Sequence, residues 1–246
     1  MISCIVPAYN TELFIGAALE SILSQNFEDL EIIVVDDGSM DRTAEICAGF
    51  PSTVRCISQE NAGLPAARNR GLQYSRGDFI TFLDADDVYV TGSLILQLKK
   101  LMLNPAVDLV VGRFLNEEIS SVPGEPMAFV PVDTPDDIVL SMGVSLIRRH
   151  VFEIVGMFDE SLRYCDDWDW FMRAREMQVP MLFHRETVMR RRLHHDNMTR
   201  DREIGNAYMA MMLKRSIERR RNRFGKANSL ASLSTSLEPF EKKGPI

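Results

Sequence analysis

Along the first hundred residues, short apolar runs alternate with stretches of helical period. Residues 3–6, 31–35, 53–57 and 79–83 read as strands, and residues 13–25, 41–50 and 64–74 as the helices between them. In the first helix Phe14, Ala17, Ala18, Ser21 and Ile22 lie along one side. Leu94, Leu98, Leu101 and Met102 recur at helical spacing and predict a fourth helix. Strands alternating with helices imply a mostly parallel sheet covered on both faces. The second half is less regular. Residues 116–135 carry five prolines and glycines and read as irregular connection, with strands expected at 144–147 and 187–193 and a helix at 166–177. No internal repeat is present.

The run Phe79-Ile80-Thr81-Phe82-Leu83 has no polar alternation, so it predicts a strand buried on both faces. Asp84, Asp86 and Asp87 follow it directly, at the carboxyl end, where open α/β sheets bind ligands. Three carboxylates this close repel unless a cation joins them, and a hard divalent ion bridging to substrate phosphates suits them. Taken alone, the same residues also suit a polar turn capping the next helix. The first strand ends in Pro7-Ala8-Tyr9-Asn10 and the second in Asp36-Asp37-Gly38-Ser39, so three strand ends carry polar or turn chemistry on one sheet edge.

Composition changes this picture little. The 246 residues suffice for one large α/β domain, and 46% hydrophobic with 26% charged is ordinary for a globular protein. The net charge of −7 hides an asymmetry: residues 214–226 hold seven basic side chains against Glu218 alone, a local +6 that leaves −13 on the rest. Cys4, Cys47, Cys56 and Cys165 show neither metal-ligand spacing nor pairing, which fits reduced thiols in a cytoplasmic protein. No basic n-region opens the chain, and no run approaches the ~18 apolar residues of a membrane span. The absence of Gly-x-Gly-x-x-Gly after the first strand argues against a dinucleotide-binding dehydrogenase. An acidic body without a recognition motif argues against nucleic acid as a partner.

With the strand ends in place, the chain resembles a family 2 glycosyltransferase, an inverting enzyme of the GT-A fold. The matching blocks run in order: Ile5-Val6-Pro7-Ala8-Tyr9-Asn10, Val34-Val35-Asp36-Asp37-Gly38-Ser39 with Asp41 and Thr43, Asn61-Ala62-Gly63-Leu64-Pro65-Ala66-Ala67-Arg68-Asn69, and Gly77-Asp78 leading into Asp84-Ala85-Asp86-Asp87. Further on come Gly156-Met157-Phe158-Asp159-Glu160, Cys165-Asp166-Asp167-Trp168-Asp169 and Arg192-Leu193-His194. The resemblance covers residues 1–200. It implies a GT-A domain there, with a nucleotide-sugar-binding half at 1–100, an acceptor-binding half at 101–200, and a basic, helical, partly disordered tail at 201–246.

The resemblance also implies roles. Pro7 and Tyr9 would line the base pocket, Asp37 would accept a hydrogen bond from the base, and Asp36 would orient the ribose or its loop. Asn61 would lie in a tight loop near the donor, with Arg68 pointing in from the following helix; a solvated helix face is the alternative for Arg68 and Asn69. Asp84-Ala85-Asp86 is the family's DxD motif, Asp84 contacting hydroxyls and Asp86 ligating Mn²⁺ or Mg²⁺. Asp87 would support the loop. Asp167 would be the base, in a place where the family usually shows Glu-Asp and this chain has Asp166-Asp167. Asp169, four residues before Arg173, reads as a helix ion pair. His194 would be a second metal ligand, with the adjacent His195 an alternative. Arg190, Arg191 and Arg192 would either neutralise the diphosphate or be exposed strand positions.

The donor implied is a nucleotide sugar, first of all a UDP-sugar, and the acceptor a carbohydrate or lipid-linked hydroxyl in polysaccharide or glycolipid assembly. A catalytically silent nucleotide-sugar-binding scaffold is the competing reading. The basic tail beside Met209, Met211 and Met212 is either a solvated helix or a peripheral contact with an anionic membrane at its inner face.

Overall fold

A computed structural model describes residues 1–120, 127–133, 139–195, 197 and 202–224. Four strands, β1 (Ile2–Ala8), β2 (Leu30–Asp36), β3 (Val54–Ser58) and β4 (Phe79–Phe82), form a parallel half-sheet in the order β3-β2-β1-β4. The connecting helices are α1 (Ile15–Leu23), α2 (Thr43–Ala48) and α3 (Leu64–Tyr74), as the periodicity predicts. Every residue of β1 is buried, because the crossover helices leave it no solvent face. Helix α3 comes so close that a Cβ on Gly71 would meet the Ile5 side chain well inside contact distance.

Beyond β4 the sheet becomes mixed. The DxD loop leads into β5 (Val88–Tyr89) and α4 (Ser93–Leu103), followed by β6 (Leu109–Ser120), β7 (Ala128–Pro131), β8 (Ser145–Arg148), α5 (His150–Val155), α6 (Asp166–Glu176), β9 (Met181–Leu193) and α7 (Arg202–Phe224). The path continues β4-β8-β6-β9-β5, with β7 on β6, and among these pairs only β6–β9 is parallel. The parallel expectation therefore holds for the first half, while strands of the second half return antiparallel through other connections. The main core joins both halves, with Ile2, Phe82, Leu109, Trp170, Phe171 and Phe183 all almost fully buried, and a smaller cluster gathers Ile33, Val35 and Ala67.

The largest departure from the sequence pattern lies at 116–135. Its first five residues extend β6, and 128–131 form β7, where irregular connection was expected. The polar residues there are matched across strands: Glu117 sits opposite Arg192 and reaches Arg190 at 3.6 Å. Such cross-strand charge pairing stabilises a strand that apolar alternation does not announce. In α4, Leu94 and Leu101 are buried as expected, but Met102 is 61% exposed and Gln97 takes the inward place, donating to the Val144 carbonyl. Among the described residues no helix is long and apolar enough to cross a membrane. The tail's described part, α7, packs on α6; the remainder of the tail expected at 201–246, from residue 225 on, lies outside the described residues.

Candidate active site

The ends of β1 and β2 are tied to each other. Thr11 and Glu12 donate backbone N–H groups to Thr43 Oγ1 (2.8 Å) and Asp41 Oδ2 (2.9 Å), and Asn10 Oδ1 accepts from Met40 N–H (2.8 Å). Asp36 is buried and caps the turn by accepting from Ser39 N–H at 3.1 Å. Asp37, also buried, holds the loop after β3: Oδ1 accepts from Gln59 Nε2 (2.7 Å) and Ala62 N–H (2.9 Å), Oδ2 from Gly63 N–H (2.8 Å). Three of a carboxylate's roughly four acceptor positions are thus occupied. Gly38 makes this packing possible, since its φ is +78° and a Cβ would stand 2.9 Å from the Asn61 nitrogen. Pro7 is buried within β1, whereas Tyr9 (49% exposed) and Asn61 lie open at the edge.

Arg68 is the hub of the site. It is 3% exposed, and its Nη1 donates to Asp166 Oδ2 at 2.6 Å while Nη2 donates to Asp84 Oδ1 at 3.0 Å. Its guanidinium lies 5.7 Å from the centre of the Phe158 ring. Burial disfavours its charge, but Asp166, Asp84 and Asp167 more than compensate and raise its pKa. The neighbouring Asn69 is buried too, with Nδ2 donating to the Phe158 carbonyl (3.0 Å) and Oδ1 accepting Phe158 N–H (2.9 Å). The solvated-face alternative for Arg68 and Asn69 is thereby ruled out. Helix α3 instead binds the DxD loop to the start of α6, across 98 residues of chain.

On the other side of the DxD loop, strand β9 delivers a histidine. Antiparallel pairing of Val88 with Arg190 carries the chain past Asp86, where His194 Nε2 meets Asp86 Oδ2 at 3.0 Å. Asn197 Nδ2 reaches the same oxygen at 3.0 Å. The His194 ring stacks on Phe14, with centroids 4.4 Å apart. His195 is exposed, so of the two histidines the structure brings His194 to Asp86. Among the described residues no three His, Cys, Asp or Glu side chains cluster as a metal cage. One carboxylate oxygen and one imidazole nitrogen suit a divalent ion that takes its remaining ligands from substrate oxygens and water.

Arg192 fits neither role foreseen for it. It is 4% exposed, donating from Nε to the Asp86 carbonyl (2.6 Å) and from its backbone N–H to Asp87 Oδ1 (2.9 Å). Its work is to hold the backbone of the DxD loop. Asp87 is buried beside it, its pKa pushed well up by burial and by Asp86 and Asp84. Burial, more than the charge of Asp86, also raises Asp84, with Arg68 acting against both. Ala85 between them is buried.

Asp167 stands in the first turn of α6, next to the Asp166–Arg68 pair. Its Oδ1 accepts from Trp168 N–H at 2.8 Å. Burial and the charge of Asp166, with a smaller contribution from Asp84, push its pKa up to about 7, while Arg68 pulls the other way. A carboxyl group poised there changes protonation at neutral pH. The two aspartates divide: Asp166 is locked in an ion pair, and Asp167 keeps an accessible carboxylate. Asp169 makes the expected pair with Arg173 at 2.8 Å.

Sequence reasoning brought most of these residues forward but missed Gln59, Asn197, Phe14 and the structural part of Arg192. An Asn three residues after a histidine carries no signal of its own, and Phe14 reads as core. The buried state of Arg192 has a faint signal in its opposite number, Glu117, on a strand that the pattern did not show.

Comparison with known proteins follows the same outline. The family model described as glycosyl transferase family 2 matches residues 3–155. An uncharacterized glycosyltransferase of Rickettsia typhi is 29% identical over 208 residues, covering 79% of this chain and 64% of its own. EpsJ, an uncharacterized glycosyltransferase of Bacillus subtilis, is 32% identical over 190 residues, 68% of this chain and 54% of its own. The chain thus spans less than two thirds of the length of these relatives. Among solved structures, S. aureus TarS 1–349 in complex with UDP-GlcNAc aligns with a TM-score of 0.67 at 20% identity, over 88% of this chain and 66% of that one. Mannosyltransferase PcManGT from Pyrobaculum calidifontis, in complex with GDP-Man and Mn²⁺, gives 0.67 at 20% identity, over 92% and 65%. The shared architecture is the GT-A fold, and the chain belongs to glycosyl transferase family 2.

Proposed function

We propose that the protein is a metal-dependent, inverting glycosyltransferase that moves a sugar from a nucleoside-diphosphate donor to an acceptor hydroxyl. The observation that supports the reading is the Arg68 bridge, which joins Asp84 of the DxD loop to Asp166 and so ties the first turn of α6, with Asp167, to the carboxyl end of β4. Pro7, Tyr9, Asp36, Asp37 and Asn61 border the nucleotide, and Asp37 has one acceptor position left for an N–H of the base. Asp84, with Ala85 and Arg68, positions ribose or sugar hydroxyls. Asp86 and His194 would hold Mn²⁺ or Mg²⁺. When bound, the cation supplies Lewis-acid neutralisation of the charge on the departing diphosphate.

Asp167 is the base in this reading. The acceptor oxygen forms its bond to the anomeric carbon as the bond to the diphosphate oxygen breaks, and the hydroxyl proton passes to the Asp167 carboxylate. A pKa of about 7 makes that carboxylate a stronger base than an ordinary aspartate while leaving a large fraction ionised at neutral pH. A UDP-sugar is the first donor to try, since a structural neighbour binds UDP-GlcNAc, with GDP-mannose second for the same reason. The acceptor is a carbohydrate or lipid-linked hydroxyl of a surface polysaccharide or glycolipid, made on the cytoplasmic side.

The test is binding and turnover across UDP-, GDP- and dTDP-sugars, with Mn²⁺ or chelator, on wild type and Asp167→Asn. Metal-dependent turnover of one donor, lost in the variant with binding retained, is the expected result. Binding of a donor with no turnover under any acceptor would favour a silent scaffold, and no binding of any nucleotide sugar would overturn the reading.

A further inference from the structure

The basic helix α7 docks on the body through buried Met212, a Tyr208–Tyr164 ring contact and a set of charged contacts. Arg219 Nη1 donates to Asp169 Oδ1 (3.0 Å), its Nε to Glu176 Oε2 (2.9 Å) and its Nη2 to Glu176 Oε1 (3.2 Å). Ser216 Oγ adds a hydrogen bond to Glu176 Oε1 at 2.6 Å, and Arg215 bonds Asp159 in the loop before α6. Asp169 is 1% exposed and Glu176 8%. Carboxylates this deep stay charged only where cations reach them. Asp169 and Glu176 are seven residues apart, about two turns along one face of α6, so one guanidinium staples the helix.

The network continues inward. The second oxygen of Asp169 accepts from Arg173 Nε, and the other nitrogens of Arg173 donate to the carbonyls of Val155 (2.7 Å) and Met157 (2.8 Å). The next residue, Phe158, is clipped by Asn69, which adjoins Arg68. Hydrogen bonds, with two steps between chain neighbours, thus connect α7 by way of α6 to Arg68 and its partner Asp84 in the DxD loop.

We infer that Arg219 is a positioning residue for Asp167, acting through Asp169 and Glu176 to fix the pose and charge balance of helix α6. The inference rests on the reading of Asp167 as the base. The groups facing Asp167 are Asp166 and Cys165 from its own segment, Arg68 from α3 and Asp84 from the loop after β4. Removing Arg219 adds the incompletely neutralised charges of Asp169 and Glu176 to this set, which disfavours ionisation of Asp167.

The experiment is a carboxylate ¹³C NMR titration of the Asp-labelled 246-residue chain, comparing wild type, Arg219→Gln and Arg219→Lys, with Asp167→Asn identifying the resonance. The expected result is a midpoint for Asp167 about 0.5–1 pH unit higher in Arg219→Gln, largely restored in Arg219→Lys. Where turnover is measurable, the acidic limb of kcat moves with it while donor KM holds. A lowered Tm with an unmoved midpoint would make Arg219 merely structural and overturn the inference. So would unchanged Tm and midpoint together, since α7 would then not be docked in solution. If Arg219→Gln does not fold, Glu176→Gln decides: with Arg219 kept and one facing carboxylate neutralised, a lowered Asp167 midpoint supports the inference, and an unmoved midpoint, or failure of this chain to fold as well, reduces Arg219 to a structural residue. Because the titration needs no substrate, its outcome is separate from that of the donor panel.

Discussion

The two halves of the site are built by different means. At the edge proposed for the nucleotide, loops are tied mostly by backbone N–H groups donating to side chains: Asp37 holds 59–63, and Asp41 and Thr43 hold 11–12. At the α6 side, side-chain charges reach across the fold: Arg68 to Asp166 and Arg219 to Asp169. The first arrangement joins segments 22 to 32 residues apart and needs no buried cation to balance a carboxylate. The second depends on buried ion pairs, whose partners cannot be removed singly without leaving an uncompensated charge. The prediction is that substitutions on the α6 side cost more, and respond more to pH, than substitutions at the nucleotide edge.

The sharpest way to break the contrast is Asp167→Asn. It should lower turnover by about 10²–10⁴-fold while leaving donor affinity within about twofold, read by kinetics and calorimetry. Next comes Arg68→Met, which leaves Asp166 buried without its cation. Urea denaturation should show a loss of about 3–5 kcal/mol, with much of it recovered in Arg68→Met/Asp166→Asn. An equal loss in the double variant would show that packing of Arg68, and not charge, is the source.

The pH behaviour of Asp167 sharpens the same point. Its folded pKa, about 7, lies above the ~3.9 of an unfolded aspartate, so the folded state holds a proton that the unfolded chain releases between those values. That contribution to stability is complete below about pH 4 and is lost as pH rises through 7. Wild type should lose about 1–3 kcal/mol relative to Asp167→Asn over that window, after allowance for solvent at this half-buried group. Turnover should move the opposite way, rising with pH through a limb near 7.

Smaller effects are expected elsewhere. His194→Ala should weaken Mn²⁺ binding in the presence of donor by roughly 10–100-fold, and His195→Ala by far less, as followed by calorimetry. Gly38→Ala should cost about 1–2 kcal/mol in thermal unfolding, through its positive φ and the Asn61 nitrogen at 2.9 Å. If Gly38→Ala proved costlier than Arg68→Met, the contrast between the two halves would fail.

What was legible in the chain follows the same division. The parallel half-sheet, α3 and the turn chemistry of Asp36-Asp37-Gly38 rest on contacts within a few residues or on strict apolar periods. β7 and the outer part of β6 were hidden because Glu117, Glu118 and the prolines and glycine of 116–135 read as loop; there β6 pairs with the arginines of β9 on one side and with β7 on the other. The tail showed its charge in the sequence but not its direction. Arg215 and Arg219 turn inward onto Asp159, Asp169 and Glu176, whereas Arg221 faces outward.

By itself, the sequence determined the alternation of strands and helices, the family, and which residue types stand at the strand ends, because period and spacing are properties of the chain. Only the tertiary structure set His194 and not His195 against Asp86, made Asp166 the ion-pair partner of Arg68 while leaving Asp167 outside that pair, and gave Arg192 and Arg219 their partners. Those outcomes turn on burial and on distances between segments 43 to 108 residues apart, and neither exists until the sheet has closed.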